Sequence, residues 1–314
     1  MRHRSPAIDP ETFLIELYVL ADEFATTQLP PEHRPGPAAA LDRSEVLTLA
    51  VVSQWARFGS ERDFWRYAET RLRAYFPRLP HRTQFNRQLR RHQVALSAFA
   101  LWLAARLNAA TAPYEALDGT AVPTRNAKRR GLGWLPGIAD IGKCLRRGWI
   151  EGLRLLVCTT PEGTVTGWGV GPASANDRAL AETLLTQRTE PIPALVSAGT
   201  TASNVYVADS GFAGAAYEAR LQHELHAQVV APPQTGSRHR WSWPERRWVA
   251  GRRQIVETVI GRLEGAFRLE RERPHALGGF LARLAAKIAL HNGCLWLNQQ
   301  RGQPLLALVE LFGW

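Results

Sequence analysis

The chain has few cysteines and no long apolar run. Its three cysteines, Cys144, Cys158 and Cys294, lie far apart and form no Cys-x-x-Cys pair, which argues against a disulfide framework and a zinc knuckle. The most apolar stretch, residues 96–107, is interrupted by Arg106 and is too short to cross a bilayer. The first residues lack the apolar core of a signal peptide. These absences predict a soluble cytoplasmic protein with no membrane partner.

Lysine is also scarce, yet the chain is strongly basic. Only three of its 39 basic residues are lysines, and against 28 acidic residues they give a net charge of +11 and a pI near 10.4. Arginine richness can reflect the nucleotide composition of a genome, so the net charge is the better signal. Because Lys and Arg release counterions when they bind phosphates, this charge predicts a polyanionic partner.

The pattern of apolar residues changes near residue 110. Before it, apolar residues recur at helical spacing, as in Phe13, Leu17 and Phe24 after the capping pair Asp9-Pro10. After it, short runs rich in Val, Leu and Thr predict strands at 153–159, 164–170, 204–208 and 227–231. Helices are predicted at 177–187, 214–225, 252–273 and 278–299. The order of elements predicts an all-helical region, 1–110, and a three-layer α/β domain with a mixed sheet, 111–314.

Three acidic residues have distinctive surroundings. Asp118 and Asp209 each close a short apolar run and are followed within two residues by Gly. Such an Asp is most often only a turn residue, but ligands of open α/β sheets gather at strand ends, and Gly lets a phosphate backbone approach. Glu257 lies in a basic helical pattern, where a Glu is usually a solvated ion pair. Together, three carboxylates without Cys or His are the set that two Mg²⁺ ions prefer for phosphoryl transfer.

Six motifs in order carry a family resemblance. They are residues 41–50 (LDRSEVLTLA), 76–87 (FPRLPHRTQFNR), 117–119 (LDG), 171–177 (GPASAND), 208–212 (ADSGF) and the pair Arg253 and Glu257. The chain resembles the RNase H-like DDE transposases encoded by bacterial insertion sequences. In that family the first Asp lies on the first strand, the second follows the fourth strand, and the Glu lies on a helix after the fifth. Separations of 91 and 48 residues fit that layout without a large inserted domain.

The resemblance implies a chemistry and a set of partners. Asp118, Asp209 and Glu257 would be the catalytic residues and the ligands of Mg²⁺, with Mn²⁺ as an alternative. The enzyme would cleave insertion-sequence ends and transfer the 3′-OH to target DNA. Its partners would be double-stranded DNA and further copies of itself, in a nucleoid-associated location. Two alternatives stay open: a nuclease of the same fold that cuts without joining, and a catalytically inactive DNA-binding descendant.

Two positions depart from the family pattern of Tyr, Arg, Glu and Lys. That pattern would fall on Ala250, Arg253, Glu257 and Glu264. Ala250 therefore replaces the Tyr, and Glu264 replaces the Lys that would touch the transposon end. Two interpretations follow: Arg262 or Arg268 supplies that contact, or the chain is an inactive or divergent copy.

Three basic regions are candidate DNA contacts. Residues 57–91 hold ten arginines, whose helix face is as readily explained by solvation as by DNA binding. Residues 125–147 form a Gly-rich basic loop, for which DNA contact is favoured. Residues 238–253 interleave three tryptophans with arginines, so these rings either stack on splayed bases or lie buried under a loop. The predicted DNA contacts are Arg82, Arg87, Arg90, Arg91, Arg125, Lys128, Arg129, Arg130, Lys143, Arg146, Arg147, Arg253 and Arg262.

Asp177 is a further acid close to the candidate set. It lies at the start of the helix predicted at 177–187, where a negative charge is favoured by the helix dipole. It is therefore interpreted as a first-turn helix residue and is not assigned to a metal.

Overall fold

A computed structural model describes residues 8–32, 36, 39–55, 57–126, 128, 131, 133–144, 147–189, 196–198, 204–238 and 240–307. The chain divides into two compact units. The helical unit comprises residues 1–103, 266–268 and 276–314, and the α/β unit comprises residues 104–265 and 269–275. The functional division predicted at residue 110 stays a prediction. Within the described ranges no helix has the length and apolarity that a membrane span requires.

The helical unit is built around its last helix. Its helices are α1 (Pro10–Gln28), α2 (Arg43–Val52), α3 (Glu61–Tyr67, continued by a π-helical turn Ala68–Leu72), α4 (Arg82–Arg91), most of α5 (Gln93–Arg106) and α9 (Leu277–Gln300). Asp9 caps α1 by accepting from the N–H groups of Glu11 and Thr12. Almost every residue of α9 between 279 and 298 is buried, as expected for a helix that is apolar on all sides. The predicted all-helical N-terminal region is confirmed.

The α/β unit contains one mixed sheet. Its strands are β1 (Glu115–Asn126), β2 (Asp140–Cys144), β3 (Gly148–Thr159), β4 (Val165–Pro172), β5 (Val196–Ala198), β6 (Val205–Val207) and β7 (Gln228–Val230). They are ordered β5-β4-β3-β1-β6-β7, and β2 pairs with the first half of β3. Strands β1, β3, β4 and β5 pair antiparallel, whereas β1, β6 and β7 pair parallel. The predicted fold class, an RNase H-like mixed sheet flanked by helices, is confirmed.

Helices cover both faces of this sheet. Helices α6 (Asp177–Thr189) and α7 (Ala215–Leu225) form one apolar core with Leu117 and Leu156. Helix α8 (Trp243–Glu264) packs against β1, β3 and β6. It contacts Asp118 and Thr120, whose side chains alternate along β1 with that of Leu117. Since successive strand residues point to opposite faces, α8 lies on the face opposite α6 and α7.

Three elements differ from the sequence prediction. Strands β2 and β5 were not predicted, and β2 replaces part of the predicted Gly-rich loop. With these two strands counted, Asp209 follows the sixth strand instead of the fourth. Helix α8 spans Trp243–Glu264, so the predicted helix 252–273 was wrong at both ends. The early start has a physical reason, because Ser242 and Glu245 form a capping box and Pro244 lies in the first turn.

Candidate active site

Asp118 and Asp209 lie at matching positions of neighbouring strands. Strands β1 and β6 run parallel, and Ala116 is paired with Val207. Asp118 is two residues beyond Ala116, and Asp209 is two residues beyond Val207. The two residues therefore lie level with each other just beyond the end of the β1–β6 ladder, the position at which parallel strands bind ligands in open α/β sheets. The prediction that Asp118 closes a strand was wrong, because β1 continues to Asn126 and Asp118 is its fourth residue.

Glu257 joins Asp118 through a shared arginine. Helix α8 carries Arg253 and Glu257 one turn apart, so both side chains lie on the same helix face. The Arg253 Nη2 atom is 3.0 Å from Asp118 Oδ2 and 3.5 Å from Glu257 Oε1. The two carboxylates are thus separated by no more than the sum of these distances. Asp118 is mostly buried, with 20% of its side chain exposed, whereas 56% of the Glu257 side chain is exposed.

The surroundings of Asp118 disfavour its negative charge. Burial raises the pKa of the Asp118 carboxyl to about 6, and the nearby Asp209 and Glu257 carboxylates push the pKa in the same direction. The Arg253 guanidinium and the Gly119 N–H group oppose this rise. The site therefore carries more negative charge than Arg253 neutralises, a condition that a bound cation would relieve.

The three acids fit a divalent cation by donor type and by charge. All three offer carboxylate oxygens, which Mg²⁺ and Mn²⁺ prefer. The Arg253 guanidinium already places a positive charge between two of them. In the side-chain arrangement seen here, however, no group of three or more Asp, Glu, His or Cys residues in the described ranges is close enough to hold a metal. A metal would require Arg253 to withdraw and the carboxylates to move together.

The loop after β6 is held by Asp209 and by Arg178. Asp209 Oδ1 accepts from the Gly211 N–H group at 2.8 Å and caps a short 3₁₀ turn, Ser210–Phe212. A side chain at Gly211 would collide with that oxygen, at 2.8 Å from a Cβ atom. Arg178 on α6 donates to the Gly211 carbonyl at 2.8 Å and to the Ala213 carbonyl. The turn that Asp209 caps therefore explains the Gly at position 211. This explanation is local and does not involve the predicted approach of a DNA backbone.

Asp177 supports the same edge from α6. Both of its carboxylate oxygens accept from Arg154 on β3, with Nε to Oδ1 at 2.6 Å. A Cβ atom on Gly119 would lie 2.6 Å from Asp177 Oδ1, so the Gly after Asp118 makes room for this carboxylate. Arg154 and Arg178 were not predicted from the sequence, and Asp177 was interpreted by the helix dipole alone. The motif at 171–177 was the available signal, but it does not reveal the partner.

The cations of the predicted basic loop differ in burial and in their ion pairs. Arg125 on β1 donates to Glu151 at 2.6 Å, and only 14% of its side chain is exposed. Arg147 pairs with Glu270 and lies 3.6 Å from Glu264. Lys128 and Lys143 are exposed. Arg129, Arg130 and Arg146 lie outside the described residues, so their predicted contacts stay predictions.

Glu264 is turned into the α/β unit. Its side chain is 6% exposed, and Oε1 accepts from the Thr120 hydroxyl at 2.7 Å. A negative charge at the last residue of a helix opposes the helix dipole, but Arg147 at 3.6 Å offsets it. The family Lys is thus replaced by an acid with its own basic partner. Of the two suggested substitutes, Arg262 is half-buried on α8, and Arg268 donates to the Ser53 carbonyl within the helical unit.

The four predicted arginines of α4 differ in their partners. Arg82, which is half-buried, pairs with Glu61 at 3.1 Å, and Arg91 pairs with Glu32 at 2.9 Å. Arg87, Arg90 and Arg91 are exposed. Solvation and DNA contact therefore both remain open for this face.

The aromatic residues near the start of α8 are exposed. Trp243 is 63% exposed and Trp248 is 44% exposed, so the predicted alternative of buried rings is wrong for these two. The Arg247 guanidinium lies 5.0 Å from the Trp243 ring centroid, and the Arg252 guanidinium lies 4.1 Å from that of Trp248. These contacts shield part of each ring face from water.

Comparison with known proteins identifies the family. No curated protein gives a significant sequence match. Two solved structures give weak matches, each with a TM-score of 0.23: a Mos1 transposase paired-end complex with left transposon end, at 12% identity over 78% of this chain and 83% of that chain, and a pre-cleavage Mos1 transpososome, at 13% identity over 87% and 85%. TM-scores this low carry no weight. The model of the Transposase DDE domain family matches residues 116–292, more than half of the chain. The chain therefore belongs to the Transposase DDE domain family.

Proposed function

We propose that this chain is an insertion-sequence transposase, which cleaves the DNA ends of its element and transfers the resulting 3′-OH to target DNA. The observation that carries the proposal is that two acids from other elements lie near enough to Asp118 to influence its charge. Asp118 lies within β1, Asp209 follows the parallel neighbour β6, and Arg253 on α8 lies 3.0 Å from Asp118 and 3.5 Å from Glu257. Family membership supports the same conclusion.

Asp118, Asp209 and Glu257 are proposed to hold Mg²⁺, with Mn²⁺ as an alternative. When bound, the ions would lower the pKa of the attacking water or 3′-OH and stabilise the leaving oxygen. The protein's own contribution is placement: β1 and β6 fix the two Asp side chains at one sheet edge, and α8 brings Glu257 to them. Burial of Asp118 excludes part of the water that would weaken its interaction with a cation.

Arg253 has two positions in this proposal. Without DNA it neutralises Asp118 and Glu257. A scissile phosphate at the sheet edge offers a competing acceptor for the guanidinium, and Arg binds phosphate in a bidentate manner. Movement of Arg253 from the acids to the phosphate would open the carboxylates and hold the strand to be cut.

The exposed basic residues are proposed to bind the phosphates of the DNA. Lys143 and Asp209 line the same open cleft. The α4 arginines are proposed to hold phosphates elsewhere along the DNA. Arg125 and Arg147 contribute less to binding in this proposal, because acidic partners already neutralise them. Two or more copies of the chain would assemble on a pair of ends.

A labelled-end assay tests the proposal and separates its alternatives. The substrate is DNA flanking the gene, end-labelled, with supercoiled plasmid as target and Mg²⁺ as the metal. Joined product at the 3′ end supports the transposase. Cleavage without joining would identify a nuclease, and binding without either product would identify a catalytically inactive DNA-binding protein. The matched control is Glu182→Gln on α6, which removes a half-buried carboxylate that pairs with Arg220 and is remote in sequence from the three acids.

A further inference from the structure

A mostly apolar groove of about 410 Å³ lies between the start of α8 and β7, the last strand of the sheet. Six residues of the α/β unit line it: Val230, Trp241, Pro244, Glu245, Trp248 and Val249. The Trp248 side chain is 44% exposed, so its indole borders the groove and is open to solvent. Contiguous exposed apolar surface of this kind is typical of an interaction site.

The groove faces away from the candidate active site. Trp248 and Glu257 are nine residues apart on α8, and at about 100° per residue they lie on opposite sides of the helix. Arg253 lies on the same side as Glu257, one turn earlier. A DNA strand held at the acids is therefore on the other side of α8 from the groove. Since phosphates have no apolar face, the apolar lining favours a protein partner.

Cations surround the apolar lining. Arg240, immediately before Trp241, and Arg247 on α8 are both exposed, and within the described part of the chain neither has an ion-pair partner. The Arg252 guanidinium lies 4.1 Å from the centroid of the Trp248 ring. Tryptophan and arginine together are typical of the centres of protein interfaces. The matching partner is a helix with aliphatic side chains flanked by acids.

Helix α1 of the same chain has such a surface. Ile15 is 49% exposed and Val19 is 57% exposed, one turn apart on one ridge of the helix. Glu11 and Glu23, both exposed, extend this ridge by one turn on each side, over about 18 Å. The whole helix carries four acidic residues and no Lys or Arg. Its exposed ridge therefore complements the groove in charge and in apolar character.

We infer that α1 of one copy of the chain docks into the groove of a second copy, with its two aliphatic side chains against the Trp248 indole and its two acids facing the cations of the groove. Aliphatic anchors one turn apart are the usual way in which a helix occupies a groove. Because the contact joins two different surfaces, it is heterologous. It adds an interface to the proposed function, in which copies assemble on paired ends. The test omits DNA and metal, so failure of the interface and failure of the proposed chemistry are distinguishable.

Analytical ultracentrifugation of the full chain at low salt measures the association. The protein concentration runs from about 1 μM to 1 mM, the range of moderate and weak dissociation constants. We expect the wild-type mass to rise above that of one chain and to fall as salt screens the exposed charges. Trp248→Ala should weaken the association about 30-fold, the loss at one interface hot spot. The double variant Ile15→Ser and Val19→Ser should weaken it as well.

Reversing the charges on each surface in turn tests the pairing itself. One variant combines Glu11→Lys with Glu23→Lys, and the other combines Arg240→Glu with Arg247→Glu. Each variant alone should stay a monomer, because like charges then face each other across the contact. An equimolar mixture of the two should associate again, since the reversed helix meets a reversed groove. Circular dichroism melts check that both variants fold.

Two matched controls leave both surfaces intact. Arg246→Glu makes the same charge change on the Glu257 side of α8, eleven residues or about three turns before Glu257. Val94→Ser removes an exposed aliphatic side chain from α5. Both controls should associate like the wild type.

Four results would overturn the inference. A wild type that is monomeric at every concentration would exclude the contact, and so would a mixture of folded charge-reversed variants that stays monomeric. Association that the α1 variants leave unchanged would assign the groove to another segment of the second copy. A groove variant with lower DNA affinity and an unchanged mass would assign the groove to DNA.

Discussion

Replacing Asp118 by Asn is expected to stabilise the protein while removing its activity. Burial raises the pKa of the Asp118 carboxyl from 3.8 to about 6. At about 1.4 kcal/mol per pKa unit, ionised Asp118 costs the folded state about 3 kcal/mol. The shift already includes the favourable Arg253 interaction, so no further deduction is needed. Asn has the shape of the neutral acid and avoids this cost.

The sign of the pH dependence follows from the raised pKa. Below about pH 3 the carboxyl is mostly neutral in both the folded and the unfolded protein, and Asp118 carries almost no penalty. Between about pH 3 and 6 the unfolded chain ionises first, so the wild type loses stability as pH rises. Above pH 6 the full cost is present. The advantage of Asp118→Asn should therefore be about 3 kcal/mol at pH 8 and about half as large at pH 5.

Urea denaturation at these two pH values checks the prediction. The control is Glu257→Gln, where 56% of the side chain is exposed, so water screens the charge and stability should change little. The labelled-end assay should show no cleavage or joining by Asp118→Asn, with DNA affinity nearly unchanged. Equal stability of Asp118→Asn and the wild type at both pH values would refute the account of a buried, charge-disfavoured carboxylate.

Three further predictions concern the basic residues and Glu264. Replacing the four α4 arginines by Ala should lower the salt dependence of DNA affinity by about two to four units, since two of them already have acidic partners, and an unchanged slope would leave only a solvated face. Arg253→Ala should lower turnover at saturating DNA more than it lowers affinity, and an effect on affinity alone would contradict its contact with the scissile strand. Glu264→Lys should destabilise the protein by about 3 kcal/mol or more, because it places a buried charge next to Arg147, and a melting temperature equal to that of the wild type would contradict this. The α4 variant of the first prediction combines Arg82→Ala, Arg87→Ala, Arg90→Ala and Arg91→Ala.

Much of the fold could be predicted from local sequence patterns. The change of apolar period near residue 110 marks where strands begin to appear. Strands β3, β4, β6 and β7 coincide with runs rich in Val and Leu. Strand β2 was missed because its sequence, DIGKC, is polar and half exposed, as a protruding hairpin strand can be. The start of α8 was missed although Ser242, Pro244 and Glu245 form a recognisable capping signal. The density of Trp and Arg there favoured a loop interpretation.

The candidate site was only partly predictable. Asp209 could be chosen because it follows an apolar strand and precedes a Gly. Asp118 was chosen on the same pattern, although β1 continues through Gly119 to Asn126. The residues that support these acids could not be predicted, because they are far apart in the sequence. Arg154 and Asp177 are 23 positions apart, and Arg253 and Asp118 are 135 positions apart. Such partners depend on strand order and on the packing of α6 and α8. No local pattern encodes them.

The most direct test of the central claim is the location of Mn²⁺ by anomalous X-ray scattering in crystals soaked with that ion. We expect anomalous peaks at the carboxylates of Asp118, Asp209 and Glu257, about 3.5–4 Å apart if two ions bind. The Arg253 side chain should be displaced from both carboxylates in the same crystals. Mn²⁺ bound elsewhere on the protein, with Arg253 still bridging Asp118 and Glu257, would contradict the proposed metal site.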